Sequence, residues 1–347
     1  MLNFVTLFNS NYLSRGLVLY QSLKLNCKNF HLYIIAFDDL TYHYLKTNPD
    51  NKFTVISLTE FEDEKLLAIK GSRTAGEYCW TSTPSSIYYC IKKFNLTNCT
   101  YVDADICFYS NPDVLINEMG DNSVLITNHH YTKLYDQSST SGKFCVQFVT
   151  FKNTEQGISV LNWWREACID WCYNRLEDGK FGDQKYLDNW LEMFNGVHEL
   201  IHRGGGIAPW NSQQYTFKKN NHKIIFNETV TGKEFEAVFF HFHSLKFYED
   251  NIVQFSDSKY ELSKEVKNFF YHNYVKDVLL QSDKIKKTAP DINCNGILGK
   301  SEYMPLSFPT LKRLYSENIQ SSRKNILGKN LLNRIKHHYY FNLEKFK

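Results

Sequence analysis

Short apolar runs alternate with segments of helical period along the first third of the chain, and this alternation constrains the fold more than any single motif. Residues 2–9 form an apolar run ending at Asn9-Ser10-Asn11, and residues 12–25 then carry Leu13, Leu17, Leu19, Tyr20 and Leu23 at helical spacing. A second run, 31–37, ends in Asp38-Asp39; residues 41–46 predict a short helix and 53–58 a third strand. Thr83-Pro84 reads as a helix start with 87–94 as its body, delivering the chain into a run over 99–106. Strands over 123–127 and 144–151, a helix over 158–175 and a late strand over 237–242 complete the pattern. Strands that alternate with helices imply right-handed crossovers, so the expected fold class is α/β with a mainly parallel sheet.

Residues 101–110 read Tyr-Val-Asp-Ala-Asp-Ile-Cys-Phe-Tyr-Ser. Side chains at i and i+2 of an extended segment point to one side, so Asp103 and Asp105 are expected to converge on one cation. Mg²⁺ and Mn²⁺ seek oxygen, and one or two carboxylates usually hold them while a substrate diphosphate and water complete the shell. Asp-x-Asp alone is weak, since a solvated pair of acids at a strand end is the commoner occurrence. Its placement adds weight: an apolar run leads into the acids, Asn111-Pro112-Asp113 closes the segment as a turn, and ligands of parallel sheets bind beyond strand carboxyl ends.

With 347 residues, 43% of them hydrophobic, the chain can bury a large core and is not a disordered one. Its aromatic fraction of 16% reads chiefly as dense packing, and Leu161, Trp164, Cys168 and Trp171 form one such core stripe. No stretch reaches about 18 consecutive apolar residues, and Met1-Leu2-Asn3-Phe4 runs straight into a strand without the features of a signal peptide. Nine cysteines without a compact spacing framework suggest reduced thiols of a cytoplasmic protein, with Cys168 and Cys172 as buried apolar thiols rather than zinc ligands. The net charge of +3 is uneven: residues 261–347 hold 16 Lys/Arg against 8 Asp/Glu. A large domain over 1–260 followed by a helical, basic C-terminal extension over 261–347 is the expected organisation, with the stretch from Pro290 to Pro309 interrupting the helical pattern of the extension.

Four islands in this order give the chain a family likeness: Phe8-Asn9-Ser10-Asn11-Tyr12, Asp103-Ala104-Asp105, Phe181-Gly182-Asp183-Gln184-Lys185 and His241-Phe242-His243-Ser244-Leu245-Lys246. On them, residues 2–250 resemble nucleotide-diphospho-sugar glycosyltransferases of the GT-A fold, in particular the retaining galactosyltransferase and glycogenin-like group and its bacterial surface-polysaccharide relatives. The resemblance implies that Leu7, Asn9, Asn11 and Tyr12 hold the nucleotide base and ribose. Read from the residues alone, the same stretch is a loop with a helix-capping Asn. Asp38 is either a nucleoside contact or a turn aspartate. The third metal ligand implied is His241, with Lys246 on the donor phosphate. The family's glycine is here Ser244, the spacing to the lysine is one residue shorter, and Phe247-Tyr248 replaces the usual Pro-Trp, so His243 stands as the alternative ligand.

Asp183-Gln184 matches an Asp-Gln that lines the donor sugar pocket, the amide beside the anomeric carbon and the carboxylate on sugar hydroxyls. Asp183 also reads as the N-cap of a helix through Tyr186, Leu187 and Trp190. Where the family usually has Asn-Ala-Gly, this chain has Cys145-Val146-Gln147, a departure that bears on the acceptor-side contacts, and Gln147 is a further candidate catalytic residue.

The resemblance thus implies a metal-dependent hexosyltransferase using Mn²⁺ or Mg²⁺ and a sugar nucleotide, with UDP the expected nucleotide and retention the expected outcome. The expected acceptor is a polysaccharide, such as a lipopolysaccharide, or a lipid-linked oligosaccharide. If the reaction inverts, Asp183 is the candidate general base. A nucleotidyltransferase is the nearest rival, but Asn9 to Arg15 has no glycine to cradle a triphosphate, and no P-loop motif occurs. A non-catalytic binder would use the basic tail, where Leu327 to Tyr340 reads as an amphipathic helix. That helix packs on its own domain, or lies on an anionic membrane at the inner face, or, last, meets nucleic acid.

Overall fold

The computed structural model describes residues 1–299 apart from 222 and 258, together with residues 340–346. The expected basic helix over 327–340 lies outside the described residues except for its last position. The first strand, β1 (Leu2–Phe8), is followed by α1 (Leu13–Asn26), β2 (Phe30–Ala36), α2 (Asp39–Thr47) and β3 (Phe53–Ser57). After the long helix Ala75–Lys93 come β4 (Asn98–Val102), the short β5 (Ile106–Phe108), β6 (Val124–Asn128), β7 (Phe144–Lys152) and, beyond the helix Glu155–Asp170, β8 (Val197–Glu199).

Seven of these strands form one sheet in the order β3-β2-β1-β4-β7-β6-β8. The β1–β2, β2–β3, β1–β4 and β6–β8 pairings are parallel, and β7 runs antiparallel to both its neighbours. The expected α/β architecture, a mainly parallel central sheet flanked by helices, is the observed one. Central strands of such sheets are covered on both faces and read as unbroken apolar runs, which is why the sequence exposed them. In β1 the two faces alternate with period two: Phe4 and Phe8 enter one core with Leu32, Ile34 and Leu115, whereas Val5 and Leu7 enter another with Ile35, Ile87 and Trp164.

Two expected helices have other bounds. The helix expected to begin at Thr83-Pro84 starts eight residues earlier, at Ala75, because Thr74 and Glu77 form a capping box, and Pro84 sits inside it. The helix expected over 158–175 stops at Asp170, leaving Trp171 as an extended cap with its indole still buried.

A second, three-stranded sheet in the order β5, Phe239–His241, β9 (Gly205–Ile207) lies beside the strand ends. Behind it a third core gathers Val18, Phe240, Phe242, Tyr271, Tyr274 and Val278. The helix His272–Thr288 therefore packs into the same core as the strand that carries His241, with Tyr274 stacked flat on Phe242 at 3.7 Å between ring centroids.

Close packing of α1 on β1 depends on Gly16, where a Cβ would lie 2.4 Å from the buried Phe8 ring. Gly16→Ala is expected to lose about 1–3 kcal/mol through overpacking, read as a lower urea midpoint at unchanged m-value; an unshifted midpoint would show that the ring gives way freely.

Candidate active site

The β4 strand ends at Val102, and the acids lie in the turn joining it to β5, where Ile106 N–H donates to the Asp103 carbonyl. Asp103 and Asp105 thus converge through a turn and not through strand periodicity, a correction to the sequence expectation. The partner is delivered by register: β5 pairs antiparallel with Phe239–His241, setting His241 opposite Ile106, and Phe242 N–H donates to the Asp105 carbonyl at 2.9 Å.

His241 Nε2 stands 3.1 Å from Asp105 Oδ1 and 3.6 Å from Asp103 Oδ2, and ligand atoms of the three side chains all lie within 4.8 Å of one another. Its other ring nitrogen, Nδ1, is 2.7 Å from the Oε1 of the fully buried Gln147. Nδ1–H donates to that amide oxygen, which fixes the ring orientation and leaves Nε2 facing the carboxylates, as an outer partner does for a metal-ligating histidine. Tyr101 hydroxyl donates to Asp103 Oδ1 at 2.9 Å and orients the first acid. Two carboxylates and one imidazole are a donor set suited to Mn²⁺, and less so to Mg²⁺.

Electrostatics separate the two acids. Burial pushes the Asp103 carboxyl up against the pull of His241, and the charge of Asp105 adds to the rise. For Asp105, burial opposes ionisation, but His241, aided by His243 and Arg15, more than offsets it and holds the carboxyl down to about 2. Burial works against the charge of the His241 ring too, yet Asp105 and Asp103 leave it well above the usual imidazole range. His243 stands outside this cluster; burial and the neighbouring His241 push it down to about 4. Trp210 lies edge-on to both imidazoles at 5.4 Å between centroids, and the two imidazoles are edge-on to each other at 5.7 Å.

Asp183 is buried, with Trp164 Nε1 donating to its carbonyl, and is not a helix N-cap: a 3₁₀ turn over Lys185–Asn189 starts beyond it, with Gln184 at the cap position. Its carboxyl is pushed up to about 8 by burial and by the charge of Asp103, against the opposing pull of Thr83 and the Gln184 N–H. The Gln184 amide donates to the Ser141 carbonyl at 2.5 Å, which ties the loop before β7 to the Asp-Gln segment.

On the other side of the acids, Leu7 is a core side chain of β1, paired with Ile35. Asn9 precedes a 3₁₀ turn over Ser10–Tyr12 without capping it through its side chain, contrary to the capping alternative. Asn11 and Tyr12 are exposed, the Tyr12 ring lying 4.4 Å from the Arg15 guanidinium. Asp38 spends both carboxylate oxygens on backbone: one caps α2 at Thr41 N–H and the other takes Ser10 N–H, each at 2.8 Å. These bonds hold its carboxyl below the usual range although burial pushes the other way. Ser244, where the sequence resemblance expects a glycine, takes φ +62, in the left-handed region that favours glycine. Lys246 opens the strand Lys246–Tyr248 with its side chain exposed and no ion pair among the described residues.

Tyr101 and Arg15 are site residues that sequence reasoning missed, and the role of Gln147 against His241 was equally hidden. The β4–β7 register, which sets Asp103 N–H on the Gln147 carbonyl, is the signal that identifies Gln147.

No known family model matches the chain. Two proteins of Bacillus subtilis (strain 168) are similar to it. Uncharacterized protein YfnD is 27% identical over 300 residues, covering 83% of this chain and 92% of its own length. Uncharacterized protein YfnF is 27% identical over 259 residues, covering 72% and 84%. Similar solved structures include galactosyltransferase LgtC in complex with donor and acceptor sugar analogs, at 10% identity and TM-score 0.48 over 80% of this chain and 96% of that one. Mouse xyloside xylosyltransferase 1 follows at 12% identity and TM-score 0.38, over 57% and 84%. The bifunctional glycosyltransferase WbbM has 13% identity and TM-score 0.39, over 60% and 39%.

Asp183 generates a pH prediction for the metal-free protein. Its folded-state pKa of about 8 lies far above the ordinary 3.8, so the folded chain holds a proton that the unfolded chain releases. Its contribution is fully present below the ordinary value and is lost as pH rises toward 8, with a slope of up to about 1.4 kcal/mol per pH unit. Asp183→Asn should flatten that decline in urea midpoints measured from pH 4 to 8; an unchanged slope would contradict the assignment.

Proposed function

We propose that the chain is a metal-dependent glycosyltransferase that moves a sugar from a nucleoside-diphosphate sugar to an acceptor hydroxyl. The observation that carries the reading is the convergence of Asp103, Asp105 and His241 at a strand carboxyl end, with Gln147 fixing the far nitrogen of the imidazole. Asp103, Asp105 and His241 would hold Mn²⁺ or Mg²⁺. When bound, the cation supplies Lewis-acid charge for the diphosphate leaving group.

The chain's own residues do the rest. Asn9, Asn11 and Tyr12 take the nucleoside, while Lys246, exposed and unpaired among the described residues, turns its ammonium to the phosphates as charge grows there. Asp183 retains its proton near neutral pH and offers sugar hydroxyls a donor and an acceptor together. Gln184, its amide held on Ser141, presents the carbonyl oxygen to the donor sugar. UDP as nucleotide, a polysaccharide or lipid-linked oligosaccharide as acceptor, and retention complete the reading on the strength of the sequence resemblance. No described helix is long and apolar enough to cross a membrane, and peripheral contact through the basic tail is part of the proposal.

A panel of sugar nucleotides, assayed for donor hydrolysis with Mn²⁺ and with EDTA, tests this directly. Turnover of one donor with Mn²⁺, absent with EDTA and reduced at least about 100-fold in Asp103→Asn/Asp105→Asn, is expected. A folded protein that binds no nucleotide would sink the reading. Gln147→Leu should weaken Mn²⁺ affinity roughly 10- to 100-fold in a calorimetric titration; wild-type affinity would remove Gln147 from the site.

A further inference from the structure

Beyond the helix His272–Thr288 the chain returns to the donor side of the molecule and runs between two loops of the site. At its near end Ser14 N–H donates to the Cys294 carbonyl at 3.1 Å, and the Ser14 hydroxyl lies 2.8 Å from that carbonyl and 2.6 Å from Asn295 Oδ1. At its far end Leu298 N–H donates to the Phe247 carbonyl, and Glu249 N–H donates to the Leu298 carbonyl. Ser282, on the helix itself, takes hydrogen bonds from Cys294 Sγ and Asn295 Nδ2 and fixes the segment from behind.

Arg15 joins the three stretches. Its guanidinium, only 2% exposed, donates to the carbonyls of Asn11, Asn295 and Leu245, each at 3.1 Å. It lies 4.4 Å from the Tyr12 ring and 5.3 Å from the Phe247 ring, and among the described residues no carboxylate forms an ion pair with it. A planar fork with fixed donor directions suits the task of holding separate backbones at set distances, and flanking rings stabilise its charge. Gly296 presses on the same loop: with φ +59, it would place a Cβ 3.0 Å from the Asn11 carbonyl oxygen and 3.1 Å from the Asn11 Cβ.

We infer that residues 294–298, clasped through Arg15, are a positioning element of the donor site. They hold the Asn11-Tyr12 loop, which takes the nucleoside, at a fixed distance from the Leu245-Lys246 turn, which takes the phosphates. The inference rests on the nucleotide-sugar reading and adds to it a part of the pocket from the C-terminal extension. Loops set in place before binding need not be ordered by the ligand, so the clasp acts on affinity for a nucleoside diphosphate.

Two glycines make the test. Gly296 and Gly232 both have positive φ, +59 and +69, but nothing lies within 4 Å of a Cβ at Gly232. Alanine at either position incurs a similar backbone penalty, and only Gly296→Ala disturbs the donor loop. The full chain is titrated with UDP, GDP and dTDP in the presence of Mn²⁺, and the nucleotide that wild type binds is carried to the variants. Gly296→Ala should raise Kd about tenfold while Gly232→Ala leaves it unchanged. Wild-type Kd in Gly296→Ala, or the same rise in both, overturns the inference. Should Gly296→Ala not fold, Asn295→Ala takes its place, since it removes the Ser14 partner and leaves the carbonyl that Arg15 uses: a raised Kd supports the clasp and an unchanged one overturns it. Wild type that binds none of the three nucleotides overturns the function itself, and the clasp with it, whereas binding that is indifferent to the variants overturns the clasp alone.

Discussion

The antiparallel pairing of His241 with Ile106 is the constraint on which the site depends. It closes a connection between residues far apart in sequence and leaves an imidazole edge-on to two carboxylates that a turn has already gathered. Without that register, Asp103 and Asp105 would be two like charges at the end of a strand, each raising the cost of ionising the other. With it, the positive ring offsets their charge while Gln147 keeps that ring from rotating away. The pairing rests on packing behind it: Phe240 and Phe242 are fully buried, and Tyr271, Tyr274 and Phe270 from the following helical segment enclose them.

Legibility of the fold followed burial. Strands β1, β2 and β4 are covered on both faces, so each left an unbroken apolar run that no side-chain contact was needed to interpret. The helix Ala75–Lys93 was legible only in part, because Pro84 attracts attention as a start signal while the capping box at Thr74 and Glu77 sits upstream in a polar stretch. Asp103 and Asp105 were visible as a pair, but their convergence comes from a turn whose geometry a two-residue spacing does not encode. His241 entered only through likeness to a family, since a histidine at a strand end carries no mark of what it faces. Tyr101, Arg15 and the pairing of Gln147 with His241 were hidden for one reason: their partners are set by sheet register and by loop contacts, which leave no periodicity in a single chain.

Ser244 and Asp38 both serve the backbone around the site. Ser244 takes φ +62, in the left-handed region that favours glycine, and makes the turn after His243 with a side chain in place. Asp38 has the bonding of a structural residue, one oxygen capping the helix at Thr41 N–H and the other taking Ser10 N–H at the start of the Ser10–Tyr12 turn. The two imidazoles differ in the same spirit: His241 is charged by its carboxylates, and His243, a ring's width away, is kept neutral by burial.

Trp210 packs against both of those rings, its indole edge-on to each and its Nε1–H held by the His129 carbonyl. An indole beside an imidazole senses whether that imidazole bears a charge. The chain thus carries an optical probe at its most consequential side chain, and Trp210 emission should respond to whatever takes the proton's place on His241 without any added label.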